Sequence, residues 1–188
     1  MNWLLLYGRS RQVPLSAALI VLVALAVLVL AGDGPAAPST AVLMLTANVA
    51  ATTVGLAGQD AALDRTAAIR WAPRRAAHVL LTAGSAAAAV LAVRALGPEL
   101  GSTALVLRDS AGLAGLGALG AVLFGVHYAW TLPVGWYALV SFVPPLSGVA
   151  GEIGHWPVLD PATTVSAWTP VVLLVTGTLL YAAAGPKR

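Results

Sequence analysis

The sequence predicts an all-α membrane protein: six transmembrane helices, with the N- and C-termini both cytoplasmic. Three observations predict it. First, 59% of the 188 residues are hydrophobic and only 9% are charged. A soluble domain carries roughly 25% charged residues, so a soluble fold of this composition lacks the polar groups to cover its surface. Second, six segments are long and apolar enough to cross a hydrocarbon core about 30 Å thick. They are residues 14–32, 39–58, 76–96, 110–130, 132–150 and 168–185. Third, alternating these segments from a cytoplasmic N-terminus places Arg9, Arg11, Arg65, Arg70, Arg74, Arg75, Lys187 and Arg188 inside, and only Arg94 and Arg108 outside. That is the positive-inside distribution, and adding or dropping one span breaks it.

The N-terminal "MNWLLLYGRSRQ" puts Trp3, Leu4, Leu5, Leu6 and Tyr7 ahead of two arginines, the pattern of a short interfacial helix. The first apolar run, "PLSAALIVLVALAVLVLAG", covers residues 14–32. It exceeds the roughly 7–15 apolar residues of a signal peptide and reads as a retained transmembrane helix. In the second span Asn48 and Thr52 lie four residues apart and share a helix face. An amide at mid-membrane is costly unless it is bonded, so Asn48 faces protein or a wet cavity. Two roles stay open for it: glue between helices, or pathway lining together with Thr52 and with Ser141 of the fifth span.

Between spans two and three lies "QDAALDRTAAIRWAPRR", residues 59–75. Asp60 is a credible N-cap for a short cytoplasmic helix over residues 61–71. Asp64 sits in its early turns and Arg70 near its end, matching the helix dipole. Pro73 is expected to stop it. Leu63, Ala67, Arg70 and Trp71 recur at helical spacing and give a modest apolar edge. Such a helix serves as an interfacial anchor or as a socket piece for a peripheral partner, and periodicity alone does not choose.

Arg108 and Asp109 stand at the outer start of the fourth span. Neighbours on a helix do not face each other, so mutual pairing is not the expected arrangement. In the same span Gly117, Ala121 and Gly125 form a small-xxx-small face, suited to helix packing or to a subunit interface. "TLPVG" around Pro133 makes a tight turn into the fifth span, which Pro144-Pro145 bends or interrupts. The external segment 151–167 holds too many Gly, Pro and polar residues to span, and its Ile153, Trp156, Val158 and Leu159 suggest that it folds back on the outer surface. All six tryptophans, Trp156 included, are expected at membrane interfaces. Segment 168–185 closes a single transmembrane domain with no convincing internal repeat.

Several functions are disfavoured. The chain has no cysteine, hence no disulfide, thiolate nucleophile or Cys-ligated metal. No P-loop motif is present, and the only lysine is Lys187. If ATP powers this protein, another polypeptide binds it. Glu152 and His155 read as E-x-x-H, but Gly154 and Pro157 make a regular helix there doubtful, and no metal site is assigned. No acid, base and nucleophile assemble into an enzyme site. The basic residues sit beside membrane segments, so the net charge of +3 does not point to nucleic acid.

This layout resembles that of ABC-2 type transporter permeases, the membrane subunits of bacterial ABC exporters. "ALDRTAAIRWAPRRAAHVLL" and "LRDSAGLAGLGALGAVLFG" look like small permeases of that family. The resemblance implies a multi-pass protein of the bacterial cytoplasmic membrane and a second permease subunit, identical or different. It also implies a separate ATP-binding subunit that holds ATP and Mg. The 61–71 helix would then be a coupling helix, with Asp60, Leu63, Asp64, Arg65, Arg70 and Trp71 meeting the ATPase. Spans two and five would line the path, which would give Asn48, Thr52 and Ser141 their use. The alternative reading is a non-transporting accessory or resistance subunit of a larger membrane complex.

Overall fold

A computed structural model describes residues 13–31, 37–53 and 71–187. Its elements are helical: α1 (Val13–Ala31), α2 (Pro38–Thr53), α3 (Trp71–Arg94), α4 (Thr103–Phe124), α5 (Thr131–Phe142), α6 (Val149–Gly154) and α7 (Thr164–Ala184). Single 3-10 turns cover Val126–Tyr128 and Trp156–Val158. Three helices, α3, α4 and α7, are long and apolar enough to cross a membrane, and the apolar stretches Ser16–Val29 and Ser39–Thr53 are shorter. The chain is thus an all-helical protein with membrane-spanning helices. The N-terminal interfacial segment and the 59–70 part of the charged stretch lie outside the described residues.

The hub is α4. Its most apolar stretch is 72% buried, against 39% for α3 and 17% for α7. It packs on α7, α3, α2 and α5. Small residues set how closely these helices approach. A Cβ on Gly115 would fall on the Leu173 backbone, and one on Gly177 would fall on the Gly115 carbonyl. The α4 and α7 backbones therefore touch at this crossing, as transmembrane helices do where glycine removes the side chain between them. Around the hub, Met44, Leu45, Val49, Val90, Leu113 and Trp156 form the main apolar core.

One end of the bundle carries Lys187. There Arg75 Nη1 donates to the Ala182 carbonyl (3.4 Å), and the Lys187 amide donates to the Ala121 carbonyl (2.9 Å). The other end carries Arg108. There Ser102 caps α4 by accepting from the Leu105 amide (3.1 Å), and Arg94 Nη1 donates to Thr103 Oγ1 (2.9 Å). The first satisfies an amide that a helix N-terminus leaves orphaned; the second ties the end of α3 to the start of α4.

Three boundaries differ most from the sequence reading. The fourth segment, expected over 110–130, is helical over Thr103–Phe124, so Arg108 and Asp109 lie inside the helix rather than at its start. Pro73 lies in the first turn of α3, which is helical from Trp71 rather than from near residue 76; the 61–71 helix that it was expected to stop lies outside the described residues except for Trp71. A first-turn proline loses no hydrogen bond, because its missing amide is one of the orphan donors. The fifth segment, expected over 132–150, is helical only over Thr131–Phe142. Pro144 and Pro145 cannot continue the ladder, and the chain turns back into α6 instead.

Candidate functional site: a buried arginine that holds a re-entrant segment

The polar centre of the Arg108 end is built on the second turn of α4. Arg108 Nε donates to Asp109 Oδ1 at 2.7 Å, with both side chains buried. The other donors reach across to the segment between α6 and α7. Nη1 donates to the Leu159 carbonyl (2.9 Å) and to Ser166 Oγ, and Nη2 donates to the Pro157 carbonyl (3.0 Å). The guanidinium carbon also stands 5.8 Å from the centre of the Trp156 ring, within cation–π range. Four of the five guanidinium N–H groups are therefore engaged.

The sequence argument that neighbours diverge is correct for short side chains. Arginine escapes it because its long stem lets Nε curl back to the next residue. Burying the pair is costly in itself, so the extra carbonyl and hydroxyl bonds are what make it tenable. They also satisfy the carbonyls of an irregular segment, which membrane-depth backbone requires.

Trp156 is the second departure. It is fully buried rather than interfacial. Its ring edge lies against Gly112, on which Pro170 also packs; these two lie nine and six residues inside their helices. At 1.5 Å per residue those depths are about 14 Å and 9 Å. The segment is thus re-entrant, folding inward between helices. Trp136 Nε1 holds its far side by donating to the Gly154 carbonyl (3.0 Å). The buried His155 donates from Nε2 to the Val143 carbonyl (2.9 Å), and its Nδ1 lies 3.3 Å from the Gly151 oxygen. A neutral imidazole donates only one of these; a protonated ring donates both.

The E-x-x-H residues do sit on a short helix: Glu152 lies within α6 and His155 caps it. Glu152 is exposed while both His155 nitrogens face carbonyls. Among the described residues no three His, Cys, Asp or Glu side chains gather to hold a metal. The arrangement has no nucleophile and base in register. What it does chemically is neutralise, position and rigidify.

The remaining candidates are scattered. Asn48 is fully buried in the core of this chain, and neither of its amide atoms has a partner among the described residues. Thr52 is half-buried, and its hydroxyl donates back to the Asn48 carbonyl (2.9 Å). Ser141 is exposed near the end of α5, so these three share no common surface. Gly117 packs on Thr53, where an added Cβ would stand 2.7 Å from Cγ2. Ala121 and Gly125 are also buried within the chain, and Gly125 takes φ +89°. Of the proposed ATPase-contact residues only Trp71 is described; it opens α3 with Arg74 5.6 Å from its ring centre. Asp60, Leu63, Asp64, Arg65 and Arg70 lie outside the described residues.

The roles of Arg108 and Trp156 were the main site features missed by sequence reasoning. The signal for Arg108 was present: an ionisable pair inside an apolar helix implies buried partners. No family model, curated protein or solved structure matches this chain.

Proposed function

We propose that this chain is the membrane-spanning permease subunit of an ABC-type exporter in a bacterial cytoplasmic membrane, powered by a separate ATPase subunit. In this reading six segments cross the membrane, the Lys187 end is cytoplasmic, and the Arg108 end is external. The observation that carries it is the pinned re-entrant segment before the last helix, the feature that most separates the ABC-2 layout from a simple six-helix bundle. The basic residues support the orientation. With Lys187 the only lysine and no P-loop motif, energy comes from a partner that binds ATP and Mg.

The 61–71 segment is the proposed docking helix. Charge reversal at Asp64 and Arg65 (Asp64→Arg with Arg65→Asp) tests it. ATPase docking is expected to weaken severely while membrane insertion persists. An intact complex in the double variant makes the segment a mere anchor.

One observation favours the second reading, a non-transporting accessory subunit. Asn48 is sealed in the interior of a single chain, which does not suit the lining of an open path. An accessory subunit would purify with a larger membrane complex rather than with an ATPase in equal amount.

A further inference from the structure

His155 closes α6 and is buried, with a carbonyl oxygen at each ring nitrogen. Nε2 donates to the Val143 carbonyl (2.9 Å), the last one before Pro144-Pro145. Nδ1 lies 3.3 Å from the Gly151 oxygen, which also accepts from the His155 amide (3.0 Å). Both of these partners are acceptors, so only the imidazolium, with a proton on each nitrogen, satisfies both. In the neutral ring the Nδ1 lone pair faces the Gly151 oxygen, and two electron-rich atoms meet without a proton between them.

The surroundings turn this detail into a mechanical one. A Cβ on Gly151 would fall on the Leu146 carbonyl, so α6 sits directly on the turn that follows α5. The imidazole is one rigid body, and swinging Nδ1 away from Gly151 also draws Nε2 away from Val143. Gly148 supplies a pivot at the start of α6. It takes φ +80°, which glycine adopts freely, and a Cβ there would meet only open space. Beyond the pivot the segment is tied by Trp136 at the Gly154 carbonyl, by Arg108 at the Pro157 and Leu159 carbonyls, and by His155. Of these three donors only the histidine gains or loses a proton near neutral pH.

Few charges act on the ring. α6 adds Glu152, and Asp160 follows the 3-10 turn; both are exposed. α5, α7 and α2 pack on this segment. α5 offers only Tyr137, α7 only Tyr181 near its other end, and α2 no titratable group. α4 brings Arg108 and Asp109, which are bonded to each other. The C-terminal end of a helix, where His155 sits, favours a cation.

We infer that His155 is a proton-operated latch on the re-entrant segment. A proton taken up at Nδ1 forms the bond to Gly151, makes the bond to Val143 charge-assisted, and locks α6 against the end of α5. Its loss leaves the Nδ1 contact repulsive and loosens α6 about Gly148. A proton held better by the closed segment than by the open one stabilises the closed form. The hold therefore strengthens as pH falls through the range in which histidine titrates, about pH 6–7, and is lost as pH rises through it. The latch stands on these contacts and not on the permease reading.

Hydrogen exchange of the full chain in lipid nanodiscs, corrected for the intrinsic pH dependence of exchange, reads this directly. The amides of Glu152, His155 and Val158, which donate to the Gly148, Gly151 and His155 carbonyls, are expected to be about fivefold better protected at pH 5.5 than at pH 8, the difference between a neutral and a charged hydrogen bond. Amides at the α4–α7 crossing are expected to change little. His155→Gln, which keeps one donor and takes up no proton, should abolish the difference. Asp109→Asn, Glu152→Gln and Asp160→Asn, made singly, should keep it. Equal protection of the parent at both pH values overturns the inference, as does better protection at pH 8. A difference that survives in His155→Gln, or vanishes in one of the carboxylate variants, places the proton elsewhere and overturns it too. Should His155→Gln fail to insert, the parent and the three carboxylate variants still decide.

Discussion

Arg108 shows how one side chain can decide where a segment lies. Its bonds to Asp109, Ser166 and the Pro157 and Leu159 carbonyls tie α4 to the re-entrant stretch. Removing it strands a buried carboxylate and two carbonyls together. Arg108→Met is expected to cost about 3–5 kcal/mol, read as a lowered unfolding temperature in detergent. It should also open residues 149–163 to protease. Adding Asp109→Asn removes the stranded charge and should recover much of the loss. Equal stability of Arg108→Met and the parent would show that the arginine does not hold the segment. The sequence made this pair visible as an anomaly but not what it holds, because Arg108's other partners come from residues 49 to 58 positions away. Trp156 was misplaced for a related reason: its neighbours in sequence are polar and turn-forming, while its neighbours in space are Gly112 and Pro170.

At the scale of elements, apolar length predicted helices well and helix ends poorly. α3 begins five residues early because a proline is harmless in a first turn. α5 ends eight residues early because Pro144 and Pro145 end it outright rather than bend it. Glycine content was legible in α4, but register was not. The visible repeat was Gly117, Ala121 and Gly125, whereas the backbone contact with α7 runs through Gly115 and Gly177. Which face meets which neighbour depends on helices far along the chain. Gly115→Ala is therefore expected to force the α4–α7 crossing apart, with overpacking costs of about 1–3 kcal/mol. Gly84→Ala has open space around it and should be neutral or stabilising by about 0.5–1 kcal/mol through helix propensity. Detergent melts of both variants check this; equal shifts would mean that the close crossing is not what glycine provides.

Across the whole molecule, composition was the most legible quantity. The shortage of charge announced a membrane protein before any element was placed, since a bilayer needs no polar covering. Orientation and function draw on less: the distribution of arginines, the missing P-loop, and a layout that resembles ABC-2 permeases. The described bundle adds a re-entrant segment locked from three sides, by Arg108, Trp136 and His155. A permease needs such rigid pieces between moving helices, and it needs a motor. The most direct test is affinity purification from native membranes in mild detergent, with every co-purifying chain identified and quantified. The permease account predicts a soluble ATP-binding subunit in equal amount to this chain. Intact complexes that reproducibly contain no ATPase would contradict it.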